Sequence, residues 1–161
     1  MAVCIRRIIS REEQECYLPL LLVANPSEKL IHQDLARGEL HILEDRGQVV
    51  SCAIVAPLNL ATCELLNLVT RAGYERKGYA KVLLHYLFAI YRDCYSSMVV
   101  GTADFSHEAL KLYESQGFQR IKVLENYFND NYPFPVIDNY RICKDMIVLE
   151  RSLNNKWTHL V

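Results

Sequence analysis

The run Glu75-Arg76-Lys77-Gly78-Tyr79-Ala80-Lys81 combines small residues with positive charge at one point in the chain. It follows an apolar stretch, Thr62 to Arg71, and a short loop. It opens a helical pattern that extends from about Gly78 to Tyr91. A strand that feeds a loop and then a helix N-terminus aims several backbone N–H groups in one direction. The helix dipole adds partial positive charge at the same place. Gly78 and Ala80 remove side-chain bulk, so a phosphate can approach the backbone. Arg71, Arg76, Lys77 and Lys81 put four cations within eleven residues. A diphosphate is the guest that this chemistry suits. The pattern is neither G-x-G-x-x-G nor G-x-x-x-x-G-K-[ST], which disfavours dinucleotide and P-loop readings. Taken alone, the loop reads equally well as a plain structural turn.

The elements that would carry this loop follow from patterning. Ala2 to Ile9 reads as a strand. Ser10 and Glu13 form a capping box for a helix running towards Val23 and stopping near Asn25-Pro26. Ser27 caps a second helix that ends before Gly38. Glu39 to Leu43 and Gln48 to Ala56 are strands joined by the hairpin signal Asp45-Arg46-Gly47. Thr62 to Arg71 is apolar enough for a central strand. After the Gly78 helix come a strand at Met98 to Thr102 and a helix at Ser106 to Ser115. Gly117 closes that helix in the usual C-terminal position. Phe118 to Leu124 and Met146 to Arg151 are the last strands. Between them, Glu125 to Asp145 reads as a long irregular connection. Its aromatic residues argue for order and for a functional role. The element order indicates an α/β sandwich with a mixed sheet, built as one domain over residues 1–161.

Composition narrows the function classes. The formal net charge of -1 leaves no basic field for nucleic acid or for an anionic membrane surface. No stretch has the length of a membrane span and no signal peptide is read at the N-terminus, so a cytoplasmic location is expected. The six cysteines form no C-x-x-C pair and the five histidines have no metal-ligand spacing, so no metal is expected. The cysteines read as buried free thiols of a reducing compartment. The histidines read as ordinary surface or partly buried residues.

At the phosphate loop the sequence resembles the GNAT superfamily of N-acetyltransferases. That family carries [QR]-x-x-G-x-[GA], met here by Glu75-Arg76-Lys77-Gly78-Tyr79-Ala80, with Glu75 departing from the usual residue. A second family pattern, N-x-x-A-x-x-[LFI]-Y-x-x-x-G-F, is met by Ser106 to Phe118, with Ser106 where Asn is usual. The two patterns stand in the right order and at the right separation, and with the element order the resemblance covers nearly the whole chain. Tyr132-Pro133-Phe134-Pro135 and Asp145-Met146 are similar to a bacterial subgroup whose acceptors are unassigned.

The resemblance implies a mostly antiparallel central sheet flanked by helices on both faces, with a splayed pair of central strands. It implies acetyl-CoA as cosubstrate and a primary amine, on a small molecule or a protein, as acceptor. By the same resemblance, the pantetheine arm would meet the backbone of Val69, Thr70 and Arg71. The pyrophosphate would sit on the amides of Arg76, Lys77, Gly78, Tyr79, Ala80 and Lys81, and Ser106 would keep a hydroxyl contact. Tyr113 takes the general-acid position, although it also reads as a core aromatic beside Ala109 and Leu112. Val69 would supply the oxyanion N–H. Glu64, eleven residues before Glu75, takes the position of a catalytic base, and equally reads as a salt-bridged strand residue. Gly101 offers no carboxylate, and Asp104 and Glu125 are fallback bases. Tyr127, Phe128, Asp130, Tyr132 and Phe134 are candidates for the acceptor pocket, or else form a packed flap or a homodimer interface. An acyl-CoA sensor without catalysis is the alternative function on the same fold.

Overall fold

The computed structural model describes residues 2–154. Seven strands form one sheet in the order β1 (Val3–Ile8), β2 (Glu39–Asp45), β3 (Gln48–Pro57), β4 (Thr62–Thr70), β5 (Ser97–Ala103), β9 (Met146–Ser152) and β6 (Gln119–Leu124). Every neighbouring pair is antiparallel except β4 with β5. The β2–β3 hairpin turns on Arg46 and Gly47, both at positive φ, as the right-handed strand twist demands of a two-residue turn.

Helices cover both faces. On one face, α2 (Leu18–Ala24) and α3 (Glu28–Arg37) bury Leu20, Leu21 and Ile31 against Ile42, Cys52, Ile54 and Val69. On the other, α4 (Tyr79–Tyr91) and α5 (His107–Ser115) bury Leu83, Leu84, Leu87 and Leu110 against Val55, Leu65, Val100 and Leu149. Each fully buried leucine contributes roughly 1.5–3 kcal/mol of transfer free energy. The two apolar stripes fix the sheet between them, and with it the strand ends that carry the site.

Two local readings of the sequence are corrected. The first helix is split into α1 (Arg11–Glu15) and α2, with Cys16 and Tyr17 at the junction. Pro19 is the physical reason: it has no N–H for a continuous helix and is tolerated only in a first turn. The segment from Glu125 to Asp145 is not irregular throughout. It holds α6 (Tyr127–Asn131) and a small hairpin, β7 (Ile137–Asp138) with β8 (Arg141–Ile142). A cluster of Ala103, Phe128 and Cys143 pins this segment to the end of β5.

The feature that matters for function lies between β4 and β5. They pair only from Thr62 opposite Ser97 to Leu65 opposite Val100. Beyond that point β4 continues alone with β3, and β5 continues with β9. The divergence begins where Leu66 is an extra residue against β3, between the pairs Val55–Leu65 and Ile54–Asn67. Such a bulge bends its strand and increases the local twist. The sheet therefore opens into a V, and one edge of β4 is left without a partner strand.

Candidate active site

A cleft of about 940 Å³ fills this V and extends to the segment after β6. Its lining comes from α3, β4, β5, α5 and α6, so every layer of the fold contributes a wall.

At one end stands the phosphate loop. Gly73, Arg76 and Gly78 all adopt positive φ, and Gly78 is the left-handed residue that begins α4. None of the backbone N–H groups from Glu75 to Lys81 finds a hydrogen-bond partner among the described residues; the first amide of α4 to be bonded within the protein is that of Val82, to the Gly78 carbonyl at 3.0 Å. An open run of N–H groups at the start of a thirteen-residue helix is a cradle for an anion. The donor set fits a pyrophosphate. The Arg76 side chain is exposed and lies 4.0 Å from Glu108 at the start of α5. Lys77 lies over the Tyr74 ring at 5.6 Å. Tyr79, by contrast, is a core residue whose hydroxyl donates to Asp45, so only its backbone faces the cradle.

The backbone of β4 corrects two sequence expectations. The Arg71 N–H donates to the Val50 carbonyl at 2.8 Å, and Val69 stands opposite Cys52 two residues earlier. In an antiparallel ladder backbone groups alternate in direction, so Val69 and Arg71 turn theirs towards β3, and Leu68 and Thr70 turn theirs to the unpaired edge. The Ser51 hydroxyl also donates to the Val69 carbonyl at 2.8 Å, and the Arg71 guanidinium donates to the Val49 carbonyl at 2.8 Å. Val69 and Arg71 are therefore engaged within the sheet. Thr70 faces the cleft as read, and Leu68 joins it.

Tyr113, on α5, lines the cleft with 6% of its surface exposed. Its ring packs edge-on against Phe118 at 5.5 Å, so the core and cleft readings both hold. Its hydroxyl makes no hydrogen bond among the described residues, and burial raises its pKa above that of an ordinary tyrosine. It is a protonated, uncommitted donor. Ser106 also lines the cleft, and its hydroxyl donates to Asp138 of the β7–β8 hairpin.

The opposite end is carboxylate-rich. Glu64 on β4 faces Asp34 and Arg37 on α3, with the Arg37 guanidinium 3.8 Å from Glu64 and 4.0 Å from Asp34. These distances are too long for hydrogen bonds. Burial raises the pKa of Glu64, and Arg37 partly opposes the shift. Burial raises Asp34 to about 6, with Arg37 lowering it and Glu64 adding to the rise. Asp34 was not found from the sequence. Its helix reads as an ordinary amphipathic one, and only packing shows that this aspartate turns inward.

Of the aromatic candidates, Tyr127, Phe128, Tyr132 and Phe134 line the cleft. Asp130 does not; it is held by the Asn126 amide at 3.0 Å. Asp104 and Glu125 also lie outside the lining. The cysteines are all free, but Cys4, Cys16 and Cys94 are exposed rather than buried. His41 is buried on the Tyr91 hydroxyl at 2.7 Å, deeper than the surface or partly buried position read for the histidines. His159 lies outside the described residues. Among the described residues no cluster could hold a metal ion, and no helix is long and apolar enough to cross a membrane.

Comparison with known proteins agrees with this geometry. Residues 36–120 match the model of the acetyltransferase (GNAT) domain. The chain is 25% identical over 148 residues to the uncharacterized N-acetyltransferase YvbK of Bacillus subtilis (strain 168), covering 90% of this chain and 94% of that one. It superposes with a TM-score of 0.84 on the crystal structure of a GNAT family acetyltransferase from Elizabethkingia anophelis with acetyl-CoA bound, at 29% identity over 94% of this chain and 98% of that chain. A Bacillus subtilis acetyltransferase solved in complex with CoA shares the fold at a TM-score of 0.83 and 22% identity, over 93% and 98% of the two chains. The family match spans more than half of the chain, and the Elizabethkingia anophelis relative is solved with acetyl-CoA bound: the protein belongs to the GNAT family and is an acetyl-CoA-dependent acyltransferase.

Proposed function

We propose that the whole chain, residues 1–161, is one N-acetyltransferase domain that passes the acetyl group directly to a primary amine while both substrates are bound. The observation that carries this reading is the juxtaposition of three things: the unpaired edge of β4 and the uncommitted Tyr113 hydroxyl in one cleft, and the open amides of the loop that begins at Glu75, where that loop meets the cleft. The amides of Arg76 through Lys81 hold the pyrophosphate, helped by the charges of Arg76, Lys77 and Lys81. The pantetheine arm lies along β4 as an added strand, bonded to the backbone of Leu68 and Thr70, with Ser106 across the cleft.

Glu64 accepts a proton from the acceptor ammonium and so frees the lone pair that forms the new C–N bond. Burial raises the pKa of Glu64, which makes it a better base than an exposed carboxylate. The Leu68 N–H stabilises the negative charge that develops on the carbonyl oxygen. As the C–S bond breaks, Tyr113 donates its proton to the departing sulfur. A thiol of pKa about 8.5 leaves more readily as the neutral species. The acceptor is an amine on a small molecule or a protein, and the site of action is the cytoplasm.

Replacing Tyr113 by Phe tests the assignment. The expected result is a fall in kcat of roughly 10²–10⁴-fold with CoA affinity unchanged. Unchanged turnover would remove Tyr113 from the chemistry.

A further inference from the structure

The acceptor end of the cleft carries more information than its family requires. Asp34 keeps 13% of its side chain exposed, lines the cleft and makes no hydrogen bond among the described residues. Glu64 likewise has no hydrogen-bond donor among the described residues, only the distant guanidinium. Asn67 lies on β4 beyond the bulge, is 4% exposed and also lines the cleft. Its amide nitrogen donates to the Leu21 carbonyl at 3.2 Å, and its buried oxygen has no partner. Asn67 Oδ1 is a buried acceptor without a partner among the described residues, and the partly exposed carboxylates of Asp34 and Glu64 line the same cleft, so the set suits a guest rich in N–H donors.

Charge counting sets the valence of that guest. The charged groups on this wall are two carboxylates, Asp34 and Glu64, and one guanidinium, Arg37. Together they leave one negative charge. A single ammonium neutralises it. A diamine would overshoot, and a zwitterionic amino acid would leave it uncompensated.

The facing wall sets the body of the guest. Phe128 and Tyr132 are stacked with centroids 5.7 Å apart, and Tyr132 meets Phe134 edge-on at 6.1 Å. The Tyr132 hydroxyl donates to Asn25 Oδ1 at 2.9 Å and so ties this wall to the α2–α3 junction. That tie holds the aromatic wall in place beside the acceptor end of the cleft. Aromatic faces suit an apolar or aromatic body with a cationic head.

The geometry points to a compact arylalkylamine as acceptor, a monocation whose ammonium is bound by Asp34 and deprotonated by Glu64 while its ring lies on Phe128, Tyr132 and Phe134. This assignment rests on the acetyltransferase reading above. The same bonds change hands: C–N forms, C–S breaks, and the ammonium proton passes to Glu64.

The test uses the intact protein with acetyl-CoA and follows thiol release with 2-phenylethylamine, phenylalanine, 1,4-diaminobutane and a short peptide with a free N-terminus. Acetyl-CoA binding is measured separately by calorimetry. The expected result is a kcat/KM for 2-phenylethylamine at least tenfold above the other three. The Asp34→Asn variant should raise KM for that amine about tenfold with acetyl-CoA affinity unchanged, and Asp34→Glu should restore part of the loss. Glu64→Gln should instead lower kcat. Preference for the amino acid, the diamine or the peptide overturns the assignment, as does an unchanged KM in Asp34→Asn. Intact acetyl-CoA binding with no turnover of any amine also overturns it and leaves the cofactor site standing. Absence of acetyl-CoA binding overturns the underlying reading instead.

Discussion

The Tyr132 hydroxyl donates a hydrogen bond to Asn25 Oδ1 across 107 residues of sequence, joining the segment after α6 to the turn between α2 and α3. One bond thus anchors the aromatic wall at the acceptor end of the cleft. Tyr132→Phe keeps the ring and deletes the donor. The loss should lower stability by about 0.5–1.5 kcal/mol in urea unfolding. Because the wall is then held less firmly, KM for the amine should rise severalfold while acetyl-CoA affinity stays constant.

The carboxylates set an acid limit on activity. Asp34 is raised to about 6 by burial, and Glu64 is raised in the same direction. Both must be ionised to bind and deprotonate an ammonium. kcat/KM for the amine should therefore fall as pH drops through about 6. Tyr113 is raised above the ordinary tyrosine range, so it remains a proton donor through neutral and mildly alkaline pH. A profile from pH 5 to 9 measures both limbs. An acid limb near the ordinary carboxylate range of about 4 would contradict the coupling of these groups.

The same burial makes Asp34 a cost to the fold. Its folded pKa of about 6 lies above the ordinary aspartate value of 3.8, so the folded state holds more protons between those values. Its contribution to stability is full below the lower value and is lost as pH rises through the upper one. Asp34→Asn should then be more stable than the natural protein at pH 7–8, on the order of 1–3 kcal/mol, and the difference should vanish near pH 4. His41 works in the opposite sense. Burial lowers it to about 4 from 6.5, so the unfolded state takes up the proton first and stability falls as pH drops across that interval. Chemical denaturation at a series of pH values separates the two.

Most of the fold was legible because its signals are local. Ser10 and Ser27 cap their helices through bonds from Glu13 N at 3.0 Å and Leu30 N at 3.2 Å, but the Glu13 carboxylate turns to Arg6 at 2.9 Å instead of completing the capping box. Arg46 and Gly47 make the hairpin that their types suggest. Gly78 and Gly117 mark the start and the end of helices from positive φ. The departures are where local rules stop. Pro19 divides an otherwise continuous apolar pattern. The bulge at Leu66 has no sequence signature, yet it opens the sheet and reverses which residues of β4 share a face. Glu64 and Asn67 thereby come to the same cleft at an odd spacing that strict alternation forbids. The same geometry explains why the backbone groups of Val69 and Arg71 turn to β3 although Val69 lines the cleft: the direction of a backbone N–H depends on ladder register, which only the paired strand reveals. Asp34 was hidden for a different reason, since a single acidic residue on an amphipathic helix gives no sign of whether it meets water or another carboxylate.

The proposed function requires the open amides from Glu75 to Lys81 to bind the diphosphate of acetyl-CoA. Calorimetric titration of acetyl-CoA into the natural protein and into the Arg76→Glu, Lys77→Glu double variant tests it most directly. The account predicts one saturable site per chain, binding of acetyl-CoA and free CoA alike, and affinity reduced by roughly tenfold or more in the double variant as two attractions become repulsions. No binding to the natural protein, or equal affinity in the two, would contradict it.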